Sequence, residues 1–336
     1  MVLWLEFVFC SALIVICGSR LSKYGDVIAE KTGIGRAWIG LILMASITSL
    51  PELITGVSSV AVVGVPNIAV GDIMGSCVYN LAILALMDVV NKDRPIFQRA
   101  YKGHFLSSGF SLMLISIVLA SMMLGESMPS IGHVGLYTPA IIITYVVAVR
   151  AVYFYEKAFF SEYVETAAMA PSYENISFRS AVVHYLINAA IIVMAATWLP
   201  SIADGLGELT GLGNTFMGSV MVAMTTSLPE VVVSIAAVRL GAQDMAIANM
   251  LGSNMFNILI LAVDDILYTR GPIFSHIEPS HAVTGLMAVM MTAVVVIGLT
   301  YPKKKKTFVR IGWDTLWLSL LWVLNIVILY STRGVR

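Results

Sequence analysis

The chain has 336 residues and a formal net charge of zero, with 58% of its residues hydrophobic and only 12% charged. Soluble domains carry about a quarter of their residues as charges, so an ordinary water-soluble globule is excluded and lipid is the expected solvent. The balanced charge gives no sign of a nucleic-acid partner.

A bilayer core about 30 Å thick needs roughly 20 apolar residues per helical span. Apolar stretches between polar breaks predict ten spans, near residues 2–19, 37–63, 67–90, 104–125, 134–155, 180–200, 214–238, 244–267, 281–301 and 312–331. The first run starts at Val2 with no basic residue before it, so it is expected to be a retained span and not a signal peptide. Cys10, Cys17 and Cys77 lie inside apolar runs with no paired spacing, which reads as small buried hydrophobes and not as a disulfide framework or a zinc site. Between the fifth and sixth spans lies a polar connection, residues 156–179, which divides the chain into a first transmembrane repeat, 1–155, and a second, 180–336.

Basic residues near span ends stay on the cytoplasmic side. With both termini outside, 17 of the 20 Lys and Arg residues fall in cytoplasmic connections, leaving only Arg270, Arg333 and Arg336 outside. The tract Lys303 to Lys306 reads as a topology anchor. The expected location is the plasma (inner) membrane.

The two halves repeat each other. Asp26 to Glu52 aligns without a gap on Asp204 to Glu230, and the best-matched segment is Thr48-Ser49-Leu50-Pro51-Glu52 against Thr226-Ser227-Leu228-Pro229-Glu230. After a one-residue slip, Gly75-Ser76 pairs with Gly252-Ser253, Asn80 with Asn257, Asp88 with Asp265, and Pro95-Ile96-Phe97 with Pro272-Ile273-Phe274. Five spans separate equivalent helices, so the copies run in opposite directions. Inverted repeats with interrupted helices are the plan of many secondary transporters, with substrate held near the midplane.

Glu52 and Glu230 each lie deep in an apolar run. A charge at that depth costs at least about 2.5 kcal/mol on insertion scales, which makes it a candidate for an ion path. Thr48 and Thr226 stand one turn before the glutamates, on the same helix face. Pro51 and Pro229 lack an N–H and oppose the carbonyls four residues earlier, those of Ile47 and Thr225. At membrane depth such carbonyls must line a cavity or find another partner, and a cation supplies one. The following helix of each half adds Ser76 and Asn80, or Ser253 and Asn257, one turn apart. This set is rich in oxygen and free of sulfur and imidazole. Hard cations such as Ca²⁺ take six to eight oxygen ligands, whereas softer metals favour His or Cys; Mg²⁺ and Mn²⁺ accept the same oxygens.

These residues resemble the calcium/cation antiporter superfamily, best represented by the sodium/calcium exchangers, over nearly the whole chain. The resemblance implies an all-α membrane protein of ten transmembrane helices in two inverted five-helix repeats. Broken helices two, three, seven and eight would form the ion site, while helices one and six slide to alternate access. By position, Glu52 and Glu230 would be the main Ca²⁺ ligands, joined by carbonyls of Thr48 and Thr226. Ser49, Ser76, Asn80, Ser227, Ser253 and Asn257 would lie at flanking monovalent-ion positions. The chain departs from the family pattern at Ile47 and its counterpart Thr225, where the first-half position is usually Gly, and at Asn257, where many sodium/calcium exchangers have Asp. It departs again at Asp72, where a neutral amide such as Asn249 is expected.

The implied function is exchange of Ca²⁺ for Na⁺. Two glutamates alone balance one Ca²⁺ or two protons, so the alternative is exchange of Ca²⁺ for H⁺, or of another divalent cation. Asp72 restores a third charge if it faces the site; its plain reading is a carboxylate near the membrane surface. Asp88, Asp264 and Asp265 read as interfacial. An intramembrane aspartyl protease, suggested by Tyr24-Gly25-Asp26 and Gly71-Asp72, fails because Asp26 lies in a basic loop and Asp72 lacks a Gly-x-Gly context. A cation channel is the remaining alternative. No enzyme activity, cofactor or obligate protein partner is expected; the partners are inorganic cations and the lipid bilayer.

Overall fold

The computed structural model of the protein describes residues 2–32, 48–91, 95–100, 102–163, 175–239, 243–301 and 312–332. They form helices α1 (Val2–Thr32), α2 (Leu50–Val63), α3 (Pro66–Val90), α4 (Gly103–Leu124) and α5 (Tyr137–Tyr163). After the polar connection come α6 (Phe178–Thr210), α7 (the run Gly213–Arg239), α8 (Gln243–Leu267), α9 (His281–Thr300) and α10 (Trp313–Thr332). Among the described residues, nine helices are long and apolar enough to cross a bilayer, and α2 is a shorter apolar helix. The expected start of the second span, at residue 37, lies outside the described residues. Between α4 and α5 sits a short antiparallel pair, β1 (Ser130–Ile131) with β2 (Val134–Gly135), turning through Gly132 at φ 64°.

Helix winding follows the prolines. The chain opens at Ser49, with φ −86° and ψ 14°, and at Ser227, with φ −84° and ψ 0°, each two residues before a proline. These are nearly the same backbone conformation, in the sparsely populated bridge between helix and strand that is frequent at active sites. A wider π turn precedes the break in α7, at Met217–Val222, and another ends α2, at Ser59–Val63. By contrast α3 and α8 are unbroken α-helices of 25 residues each, which corrects the expectation that helices three and eight are interrupted. The only proline in α3 is Pro66 at its first position, where the missing N–H is harmless, and α8 contains none. Helix α1 runs on past the predicted boundary at 19, and α6 extends beyond both predicted ends.

Two apolar assemblies meet around the broken helices. The main core joins α3, α4, α5, α8, α9 and α10. Phe7, Cys10 and Ile14 of α1 instead pack with Leu199, Ala203 and Leu206 of α6, together with Met217 of α7. Gly18 of α1 passes so close to Pro229 that an added Cβ would lie 2.5 Å from its ring. Polar contacts also cross this seam, where Ser11 and Thr225 share a 3.1 Å hydroxyl pair and Ser58 donates to the Thr197 carbonyl at 2.7 Å.

Asp88 and Asp265 are buried caps near the ends of α3 and α8. Asp88 accepts from the Ile96 N–H, the Gly312 N–H and the Thr315 hydroxyl. Asp265 accepts from the Ile273 and Gly135 N–H groups and from the hydroxyls of Tyr137 and Thr138. The repeated Asp and Pro-Ile-Phe are thus one device, a carboxylate holding the N–H of the isoleucine eight residues on.

A second repeated device had no signal within either half. His104 meets Asp244 at 3.0 Å and His281 meets Asn67 at 3.1 Å, and the members of one pair sit 177 residues from those of the other. Each pair pins the start of one helix to the start of another: α4 to α8, and α9 to α3.

Candidate cation site

Both helix breaks point their polar residues at each other. Thr48, Ser49, Glu52, Asp72, Ser76, Asn80, Thr225, Thr226, Ser227, Glu230, Ser253 and Asn257 are all buried. Ile47, expected to offer a carbonyl, lies outside the described residues.

The contacts cross between the halves. Ser49 donates to Glu230 Oε1 at 3.4 Å, and Ser227 donates to Glu52 Oε1 at the same distance. Ser227 also donates to Ser76 Oγ at 3.0 Å, while Thr226 donates to Asp72 Oδ1 at 2.8 Å. Asp72 is therefore turned toward the break in α7. Thr225 spends its hydroxyl on the Met221 carbonyl and on Ser11.

Asn254 completes this layer and was missed by sequence reasoning. It accepts from Asn80 Nδ2 at 3.0 Å and donates to the Cys77 carbonyl at 3.2 Å. Cys77 and Asn254 are themselves 177 residues apart, so two equivalent positions meet. Their sequence signal was the shared Gly-Ser motif, but a cysteine opposite an asparagine hid the correspondence. Cys10, Cys17 and Cys77 are free and buried, in line with the expectation.

Close packing supports the geometry. At Gly71 an added Cβ would lie 2.9 Å from the Ser219 nitrogen, and at Gly75 it would collide with the Ser219 carbonyl and Ala223. Gly75 thus lets α3 lie directly on the π turn of α7, in the other half.

Oxygens without a protein partner gather here. Glu52 Oε2, Glu230 Oε2, Asp72 Oδ2, Asn80 Oδ1, Ser253 Oγ and Asn257 Oδ1 are buried and accept no hydrogen bond. Buried polar groups nearly always have partners, and exceptions call for an ion, a water or a functional role. Among the described residues no three His, Cys, Asp or Glu side chains converge as a metal cluster. The site is accordingly one of paired carboxylates completed by hydroxyl, amide and carbonyl oxygens, as hard cations accept.

Comparison with known proteins agrees with this architecture. The family model described as sodium/calcium exchanger protein matches residues 2–154 and 180–331, leaving out the connection between the halves. The inner membrane protein YrbG of Escherichia coli is 28% identical over 265 residues, covering 78% of each chain. The sodium/calcium exchanger MaX1 of Methanosarcina acetivorans is 25% identical over 281 residues, covering 73% of this chain and 77% of its own. Among solved structures, the sodium-calcium exchanger NCX_Mj soaked with Na⁺ and Ca²⁺ superposes with a TM-score of 0.63 at 19% identity, over 97% of this chain and 98% of its own. The chain is an integral multi-pass membrane protein that belongs to the sodium/calcium exchanger protein family, and with it to the calcium/cation antiporter superfamily.

Proposed function

We propose that this protein is a secondary-active antiporter that exchanges Ca²⁺ for Na⁺ by alternating access at the Glu52–Glu230 centre. The observation that carries the reading is the reciprocal crossing of Ser49 to Glu230 and Ser227 to Glu52, which leaves one oxygen of each glutamate free. Two buried carboxylates so arranged balance one divalent cation. Thr48, Thr226, Ser49, Ser227, Ser76, Asn80, Ser253 and Asn257 supply neutral oxygens around it, and the carbonyls that Pro51 and Pro229 leave without a donor, those of Ile47 and Thr225, are the further ligands this reading assigns.

The architecture proposed for this cycle is two inverted five-helix units, residues 1–155 and 180–336, joined by a cytoplasmic connection at 156–179, with both termini outside the inner membrane. The α1–α6 pair then slides over the broken helices. In support, this pair has its own apolar cluster and a seam of small and hydroxyl residues against α7.

Asp72 bears on the choice of coupling ion. With Asn257 in place of an acid, Glu52 and Glu230 alone suit replacement of one Ca²⁺ by two protons. Asp72, which accepts from Thr226 at the break in α7, supports a third carboxylate beside the centre, and on this reading several Na⁺ ions replace Ca²⁺ in preference to two protons. The test is uptake of radiolabelled Ca²⁺ into inside-out vesicles, driven first by a Na⁺ gradient and then by a proton gradient. Uptake is expected with the Na⁺ gradient; uptake with the proton gradient alone would replace Na⁺ by H⁺ in this scheme.

A further inference from the structure

Among the described residues, Asp264 differs from the other buried carboxylates outside the centre. Its neighbour Asp265 accepts four hydrogen bonds, which is how this fold treats a structural acid. Asp264 is equally buried, yet both of its oxygens lack a partner.

Its position is informative. Asp264 lies seven residues, two turns, beyond Asn257 on the same face of α8. It fills the notch left by Gly56 of α2, where a Cβ would come within 2.6 Å of Oδ2, and Gly56 is one turn beyond Glu52. Asp72 stands on α3, which packs against α8, and it has a free oxygen of its own. Farther along the same direction Arg270 closes over Gly64 at the end of α2, so α2 and α8 end on one face of the membrane and Asp264 lies between that face and the centre.

The repeat makes this arrangement one-sided. The position equivalent to Asp264 in the first half is Met87, and that equivalent to Asp72 in the second half is Asn249. Both added carboxylates lie on the route toward the α2–α8 end face, and the opposite route has neutral residues at both positions. A stability role explains neither the unpartnered oxygens nor the glycine that admits them.

We propose that Asp264, with the free oxygen of Asp72, forms a second cation subsite through which ions pass between the Glu52–Glu230 centre and the face where α2 and α8 end. Two carboxylates at membrane depth hold a hard cation on its way to or from the centre, and affinity rises with ligand charge. This subsite rests on the antiporter reading above and adds a direction to it.

The test is exchange of radiolabelled Ca²⁺ in vesicles of both orientations, for the wild type, Asp264→Asn and Gly56→Ala. When Ca²⁺ is offered from the α2–α8 end face, Asp264→Asn is expected to raise the half-saturating concentration on the order of tenfold, with little change from the other face. Gly56→Ala, whose methyl displaces the carboxylate, shifts it in the same direction and serves alone if the Asn variant does not insert. Unchanged half-saturation at both faces overturns the subsite, as does an equal shift at both, which would mark a general structural effect. A wild type that shows no cation-driven Ca²⁺ exchange at all overturns the antiporter reading itself, and the subsite with it.

Discussion

Glu52→Gln and Glu230→Gln are each expected to abolish Ca²⁺ exchange while the protein still inserts and folds. The amide keeps the size of the side chain and can still accept from Ser227 or Ser49, so packing at the helix break survives. What disappears is one of the two charges that offset a desolvated divalent cation. Removing one partner from a buried ionic arrangement costs about 3–5 kcal/mol, more than a hundredfold in affinity at ~1.4 kcal/mol per factor of ten. Equilibrium Ca²⁺ binding in detergent and vesicle uptake should fall together for both variants. A variant that bound Ca²⁺ as the wild type does, yet failed to transport, would move the glutamates from ligands to moving parts.

The largest effect on stability is expected from Asp265→Ala. The carboxylate gathers the start of α5, the β2 strand and the turn at Ile273 through four donors. Hydrogen bonds to a charged group contribute about 1.5–3 kcal/mol each, and an orphaned buried donor carries a further penalty. Several kcal/mol are therefore at stake, enough to unfold a domain of ordinary stability. Thermal melting followed by size-exclusion chromatography should show a marked drop for Asp265→Ala, and a drop also for Asp88→Ala, whose carboxylate accepts from Ile96, Gly312 and Thr315 among the described residues. An unaltered melting temperature in both would mean that these caps do not hold the loops.

Much of the centre could be read from the chain because its chemistry is written twice. An acid, two hydroxyls and a proline recur in fixed order inside apolar runs, and packing alone has no use for that combination. Proline also marked where the helices open, at Ser49 and Ser227. The interruption expected in α3 and α8 came from the family likeness and had no proline behind it; these helices are continuous.

The partners of the acids near span ends were not legible, for a different reason. Hydropathy gives depth along a helix but not the direction in which a side chain points, so Asp88, Asp264 and Asp265 look alike in sequence. Two of them meet donors from distant segments, such as Thr315 and Tyr137, and the third meets a glycine notch. Asp72 posed the same question, answered by a hydroxyl 154 residues away. The His104–Asp244 and His281–Asn67 pairs were hidden likewise, since each joins helices from different halves.

Counter-ion dependence of Ca²⁺ flux tests the central claim most directly. Purified protein in liposomes is loaded with radiolabelled Ca²⁺ and diluted into media with and without Na⁺, the membrane potential being clamped. An antiporter releases Ca²⁺ only when a cation on the far side can take its place at Glu52 and Glu230, so efflux should start with Na⁺ and stop without it. Equal efflux into a medium containing no exchangeable cation would contradict alternating access and leave a channel in its place.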